Sequence, residues 1–187
     1  MPGPLLLLLG RKAGSAERAQ KAIMEVADLV GAVGSTSDEA LAALALCKMG
    51  VSPENVSKTL SWRDFESFCS SILRAKGYTV RENIYLRKPR AQIDVLGIST
   101  RLSVAVDCKH WTRSSGYSSL ARIVEAQKAR AMRLHDTLDS IGPIAPVILT
   151  LVDQGARFVD GGAIVPVFAL RDFLDNIDAH EPLMDLA

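Results

Sequence analysis

Two aspartates sit in segments that otherwise read as strands. Asp94 interrupts Gln92-Ile93-Asp94-Val95-Leu96, and Asp107 interrupts Val104-Ala105-Val106-Asp107. Aspartate competes with the backbone ladder and is costly to bury. Two such interruptions in consecutive strands suggest a site placed at the expense of stability. Asp107 and Lys109 are two apart, so in a strand both side chains leave on one face. If the two strands pair, Asp94 lies beside Asp107. Carboxylates that close repel unless a cation sits between them. All-oxygen ligands suit Mg²⁺ or Mn²⁺ with water completing the octahedron, and the main-chain carbonyl of Cys108 offers a third protein ligand. Lys109 alongside is placed to hold an attacking water and to offset charge on a phosphate. That set fits metal-assisted hydrolysis of a phosphodiester. The structural alternative is that both aspartates pair with Arg90 or Lys109 and hold no metal.

Two further polar residues fall on apolar helix faces. Glu66 lies at the edge of the stripe formed by Trp62, Phe65, Cys69, Ile72 and Leu73, where a carboxylate can reach the sheet edge. Gln127 sits among Leu120, Ile123, Val124, Ala131 and Leu134, and a buried amide needs polar partners such as an active site supplies.

The elements that position these groups can be read from periodicity. Ser61-Trp62-Arg63-Asp64 resembles a capping box with Asp in the Glu role, and Gly77 stops the helix it opens. Strands are expected over 78–86, 91–98 and 102–109, the last with Leu102, Val104, Val106 and Cys108 on one face. A helix then carries Gln127. A continuous apolar run over 146–152 predicts a strand covered on both sides. A strand over 161–170 and a helix over 171–177 follow. The order after residue 60 is α-β-β-β-α-β-β-α, an α/β chain. Upstream, residues 15–60 read as helices, with Gly31 and Gly34 ending the first, Ser37 opening the second and Ser52-Pro53 opening a short third. Residues 1–14, including Leu5–Leu9, read as a disordered or loosely packed tail; the leucine run is too short to span a bilayer.

The chain has 187 residues, 48% hydrophobic and 23% charged, which excludes wholesale disorder and a multi-span membrane protein. Net charge is +1, but residues 58–135 carry 15 Lys/Arg against 6 Asp/Glu. A basic middle in a near-neutral chain suggests a surface for an anion. Arg81, Arg87, Lys88, Arg90 and Arg113 flank the proposed site in sequence and are candidates to neutralise DNA phosphates. Three dispersed cysteines, Cys47, Cys69 and Cys108, form no CxxC and point to a reducing, cytoplasmic setting.

Phe65-Glu66, Gln92-Ile93-Asp94-Val95-Leu96-Gly97, Val106-Asp107-Cys108-Lys109-His110-Trp111 and Gln127 together resemble the PD-(D/E)xK nuclease superfamily. The branch is that of the Mrr-like restriction endonucleases, with archaeal Holliday-junction resolvases as relatives. The resemblance spans about residues 61–170. It implies an αβββαβ restriction-endonuclease-like core within 61–180, and Mg²⁺-dependent cleavage of DNA. It also implies catalytic roles for Glu66, Asp94, Asp107 and Lys109, with Gln127 assisting. Three departures stand out: Ile93 precedes Asp94 where Pro is usual, Asp107 replaces Glu, and Ala131 occupies the position of a Tyr four residues after the Gln. Nucleases of this type often cut both strands as homodimers, since two cuts call for two symmetry-related sites. The alternatives are a branched-DNA resolvase and a non-cleaving DNA-binding module on the same fold. Residues 45–58 resemble a helix-turn-helix, but few of their side chains suit DNA reading, so a helical cap or dimerisation element is the expected use.

Overall fold

A computed structural model describes residues 3–187 apart from 31–37, 53–54, 57–58, 112 and 139–140. Its centre is a six-stranded mixed sheet ordered β1-β2-β3-β4-β6-β5. The strands are β1 (Thr79–Leu86), β2 (Ala91–Ile98), β3 (Ser103–Lys109), β4 (Ile144–Thr150), β5 (Phe158–Val159) and β6 (Gly162–Pro166). The first three form an antiparallel meander, β3, β4 and β6 run parallel, and β5 is antiparallel to β6. β4 is buried at every residue, as a strand covered on both faces must be.

Ahead of the sheet the described residues include the helices α1 (Pro4–Ala13), α2 (Ala16–Val30), α3 (Asp38–Lys48) and α4 (Trp62–Ala75). Helix α5 (Tyr117–His135) connects β3 to β4, and α6 (Leu170–Asp175) and α7 (Ile177–His180) close the fold. From α4 onward the order contains the expected αβββαβ core. One face of the sheet meets α4 and the N-terminal helices through Phe65, Leu73, Val95, Val104 and Val106. The other face meets α5 through Leu134 with Ile93, Leu96 and Ala105, and through Val124 with Ile148 and Ile164. The three N-terminal helices share the core of the first face, Leu5 and Leu46 clustering with Phe65 and Val104.

The expected disordered tail is corrected by α1. Pro4 opens the helix, where its missing N–H costs nothing. The N–H groups of Leu5 and Leu6 donate to the two carboxylate oxygens of Glu39 on α3, at 3.0 and 3.1 Å. Leu5 and Leu9, four apart on one face, are fully buried. A tertiary partner thus supplies both the cap and the apolar cover that a ten-residue helix lacks alone. Helix α3 is apolar nearly all round, and Ala40–Leu46 are buried accordingly. Gly31, Gly34, Ser37 and Pro53 lie outside the described residues, as do Glu54, Ser57 and Lys58 of the helix-turn-helix reading.

Two sequence expectations change in the C-terminal part. The strand expected over 161–170 ends at Pro166, which has no N–H to extend the ladder, and the chain turns into a short helical turn before α6. Its partner β5 was not anticipated. Asp160 and Gly161 join the two with φ of 43° and 78°, the Asp-Gly signature of a tight hairpin.

Candidate active site

Helix α4 starts as the sequence suggests. Ser61 is its N-cap: the Oγ accepts from the Asp64 N–H at 3.1 Å and donates to Asp64 Oδ2 at 2.6 Å. Phe65, Cys69, Ile72 and Leu73 are buried, whereas Trp62, expected on the same stripe, is 55% exposed. It is the first helical residue, at the rim, one turn beyond the sheet edge. Glu66 comes one turn further in and is buried.

The β1–β2 hairpin changes face in the middle. Tyr78 and Val80 pack toward α4, yet Ile84 and Leu86 pack toward α5, although all four have the same parity. On β2, Ile93 joins the α5 side and Val95 the α4 side. The register is unchanged across the switch, with Glu82↔Val95 and Ile84↔Ile93. Only Asn83↔Asp94 is absent from the ladder. Asn83 has φ of 53°, a left-handed conformation that Asn tolerates better than most residues, and its Oδ1 accepts from Gln92 Nε2 at 3.0 Å.

Asp94 is released on its other side too. The β2–β3 ladder ends at Val95↔Val106; one step further places Asp94 opposite Asp107. There the Cys108 N–H donates to Asp94 Oδ2 at 2.8 Å instead of to a backbone carbonyl. An extended residue presents its N–H and C=O along the same edge, so the Cys108 carbonyl faces the gap where the strands part.

Asp107 is buried. Lys109 Nζ donates to its Oδ1 at 3.0 Å and lies 2.9 Å from Oδ2. Oδ2 is flanked on the α5 side by Arg130 Nη1 at 3.3 Å but accepts no well-formed hydrogen bond. The Arg130 guanidinium donates to Gln127 Oε1 at 3.0 Å, and Gln127 Nε2 donates to the Ala105 carbonyl at 2.8 Å. Gln127 is thus fully satisfied while fully buried. Helical phase alone puts Arg130 off the apolar face of α5, so periodicity does not single it out. The available signal was its position three residues after Gln127, one turn along the same helix.

The electrostatics record three carboxylates held together. Burial, then the negative charges of Asp94 and Glu82, push the Glu66 carboxyl up to about 7, with Arg63 opposing and Asp107 adding a little. Burial also raises Asp94 to about 6; the Cys108 N–H pulls the other way, and Asp107 adds to the rise. His110, tilted against the Phe65 ring, has its pKa lowered by burial.

The donor set fits a hard divalent cation. Asp107 retains an oxygen without a hydrogen bond, Asp94 faces it, and an unladdered carbonyl adjoins both. Mg²⁺ is usually held by one or two carboxylates and keeps several waters. Among the described residues no three His, Cys, Asp or Glu side chains are grouped so as to hold a metal ion together, so the candidate side-chain ligands here number two, Asp94 and Asp107.

The structure therefore brings Glu66, Asp94, Asp107, Cys108, Lys109 and Gln127 to one place. The basic candidates are more dispersed. Arg81 is exposed on β1, Arg87, Lys88 and Arg90 occupy the exposed β1–β2 turn, and Arg113 is exposed in the loop after β3. Arg133 of α5 fastens that turn by donating to the Arg87 and Pro89 carbonyls at 3.2 and 2.6 Å. No described helix is long and apolar enough to cross a membrane, and the three cysteines are free thiols.

Residues 57–134 match the Mrr_cat family model, described as a restriction endonuclease. That bears out the resemblance to Mrr-like PD-(D/E)xK nucleases. An uncharacterised protein of Archaeoglobus fulgidus is 29% identical over 121 residues, covering 63% of this chain and 92% of that protein. The crystal structure of protein VC1899 from Vibrio cholerae aligns with a TM-score of 0.44 at 10% identity, over 98% of this chain and 58% of its own. The chain thus spans less than two thirds of that protein.

Proposed function

From a nuclease domain of the Mrr-like restriction-endonuclease family over residues 57–134, we propose that this chain is a Mg²⁺- or Mn²⁺-dependent endonuclease that hydrolyses phosphodiester bonds in DNA. The observation that carries the reading is the meeting of Asp94 and Asp107 where the ladders on both sides of Asp94 stop, with Lys109 on Asp107.

Asp94, Asp107 and the Cys108 carbonyl would hold the cation, which when bound supplies positive charge for the phosphoryl oxygens. The Cys108 N–H fixes the Asp94 carboxylate so that it need not reorganise on binding. Lys109 Nζ, tethered to Asp107, orients the attacking water and offsets charge developing on the phosphate. Glu66, with a carboxyl near 7, is matched to accept a proton from that water near neutral pH. Gln127 and Arg130 hold Asp107 from the α5 side. Arg81, Arg87, Lys88, Arg90 and Arg113 would neutralise flanking phosphates, and two copies would cut the two strands. The N-terminal helices, anchored in the same core, act as a cap on the domain.

The test is cleavage of linear, methylated and four-way DNA with Mg²⁺ or Mn²⁺. Wild-type protein is expected to cut at least one of these, and Asp107→Ala or Lys109→Ala to abolish cutting while DNA binding persists. Binding without cutting under both metals would favour the non-cleaving module. Cutting confined to four-way DNA would favour the resolvase.

A further inference from the structure

Adjoining the carboxylate cluster at Glu66, a cleft of about 390 Å³ opens along the start of α4 and the middle of β1. That volume lies in the range of small-ligand sites, roughly 300–1,000 Å³. Trp62 and Tyr85 line it, and both are largely exposed, at 55% and 62%. Neither belongs there by simple pattern. Trp62 is the apolar residue that escaped the buried stripe of α4. Tyr85 reaches this side only because the hairpin changes face at Asn83; with unbroken alternation it would lie toward α5. A left-handed residue therefore delivers an aromatic side chain to the cleft.

The remaining lining sets the chemistry of an occupant. Glu66 and Glu82 present carboxylates, Asn83 an amide, Ser67 a hydroxyl and Arg63 a guanidinium. Glu82 also pairs with Arg74 at 2.8 Å. With Arg63 and Arg74 set against the two carboxylates, the lining has no net positive charge to hold a phosphate. Aromatic faces with hydrogen-bond acceptors between them suit a flat, uncharged ring bearing amino groups. Cytosine, adenine and guanine carry such groups, and thymine has no exocyclic amine. A base inside a duplex offers no free face, so the occupant must be unpaired or turned out of the helix. Glu66 is common to the cleft and the carboxylate cluster, which places that nucleotide next to the phosphate to be cut.

We propose that this cleft receives one unpaired, amino-bearing nucleobase of the bound strand, stacked on Trp62 and Tyr85, so that the chain prefers DNA with a displaced base at the cutting position. The proposal deepens the nuclease reading and rests on it, but its test reads binding and not cleavage.

Fluorescence polarisation would compare three labelled duplexes in Ca²⁺ with the full chain: fully paired, with one unpaired cytosine, and with one unpaired thymine. The cytosine bulge is expected to bind about tenfold tighter than the paired duplex, and the thymine bulge several-fold more weakly than the cytosine bulge. Trp62→Ala and Tyr85→Ala should each remove most of the preference for the bulge and leave binding to the paired duplex, and the melting temperature, unchanged. Equal wild-type affinity for paired and bulged DNA overturns the proposal. So does an equal loss on all three probes in the variants. Equal binding of the two bulges overturns the amino-group selectivity. A protein that shows the bulge preference yet cuts no DNA with Mg²⁺ or Mn²⁺ refutes the nuclease reading and leaves the cleft standing.

Discussion

Asp94→Asn should make the metal-free protein more stable while destroying its activity. The substitution keeps an oxygen to accept from the Cys108 N–H and removes only the charge. In the folded chain the Asp94 carboxyl is raised from 3.8 to about 6, chiefly by burial. A folded-state pKa above the unfolded value favours folding fully below 3.8, and that advantage is lost as pH rises through 6. At pH 8 the full penalty applies, and the shift of about two units at 1.36 kcal/mol per unit gives an upper bound of about 3 kcal/mol. Asp94 is only partly buried, so solvent screening reduces the gain, leaving about 1–3 kcal/mol. For a chain of this size that is roughly 2–4 °C per kcal/mol. Thermal melts in EDTA should therefore show the variant about 3–10 °C above wild type at pH 8, the gap closing toward pH 4. Adding 10 mM Mg²⁺ at pH 8 should raise the wild type and leave the variant in place. A variant that melts below wild type at pH 8, or a gap independent of pH, would refute the view that these carboxylates are held together against their repulsion.

Other substitutions probe separate parts of the site and fold. Lys109→Met should lower the cleavage rate by about 10²–10⁴-fold, measured as single-turnover rate, with DNA affinity within about threefold of wild type. Arg130→Met leaves Gln127 Oε1 and Asp107 without their shared partner; urea unfolding should show a loss of about 1–3 kcal/mol, and the Mg²⁺ concentration needed for half-maximal cleavage should rise. Leu9→Ala should cost about 2–5 kcal/mol in the same unfolding experiment, since Leu9 is fully buried; a change near zero would return α1 to the status of a loose tail. Because Glu66 is raised from 4.5 to about 7, Glu66→Gln in EDTA should gain stability over wild type as pH rises from 4.5 to 7, and little below that window.

The chemistry was more legible in the sequence than the geometry that serves it. The candidates Asp94, Asp107, Glu66 and Gln127 stand out as polar groups where periodicity calls for apolar ones, and Lys109 by its spacing of two from Asp107. Elements long enough to show a period, such as α5 and β3, were readable for the same reason. What escaped reading depended on tertiary partners. The order of α1 comes from Glu39, which is more than thirty residues away. Helical phase alone places Arg130 near the edge of the apolar face, and its partners Asp107 and Gln127 draw it inward. Strict alternation also put Asp94 on a regular strand, whereas the left-handed Asn83 opposite it reverses the two halves of the hairpin. Nothing in a two-residue period announces such a reversal.

That reversal has a mechanical corollary. Where backbone pairing lapses beside the same residue on both flanks, a ribbon can crease, and the outer half of the hairpin is held instead by α5, through Ile84, Leu86 and the Arg133 bonds to the turn. A load applied at Arg87–Arg90 by a long polyanion would be transmitted to the crease, and so to Asp94 itself. Contact made at the tip would thereby be felt at the carboxylate proposed to hold the cation.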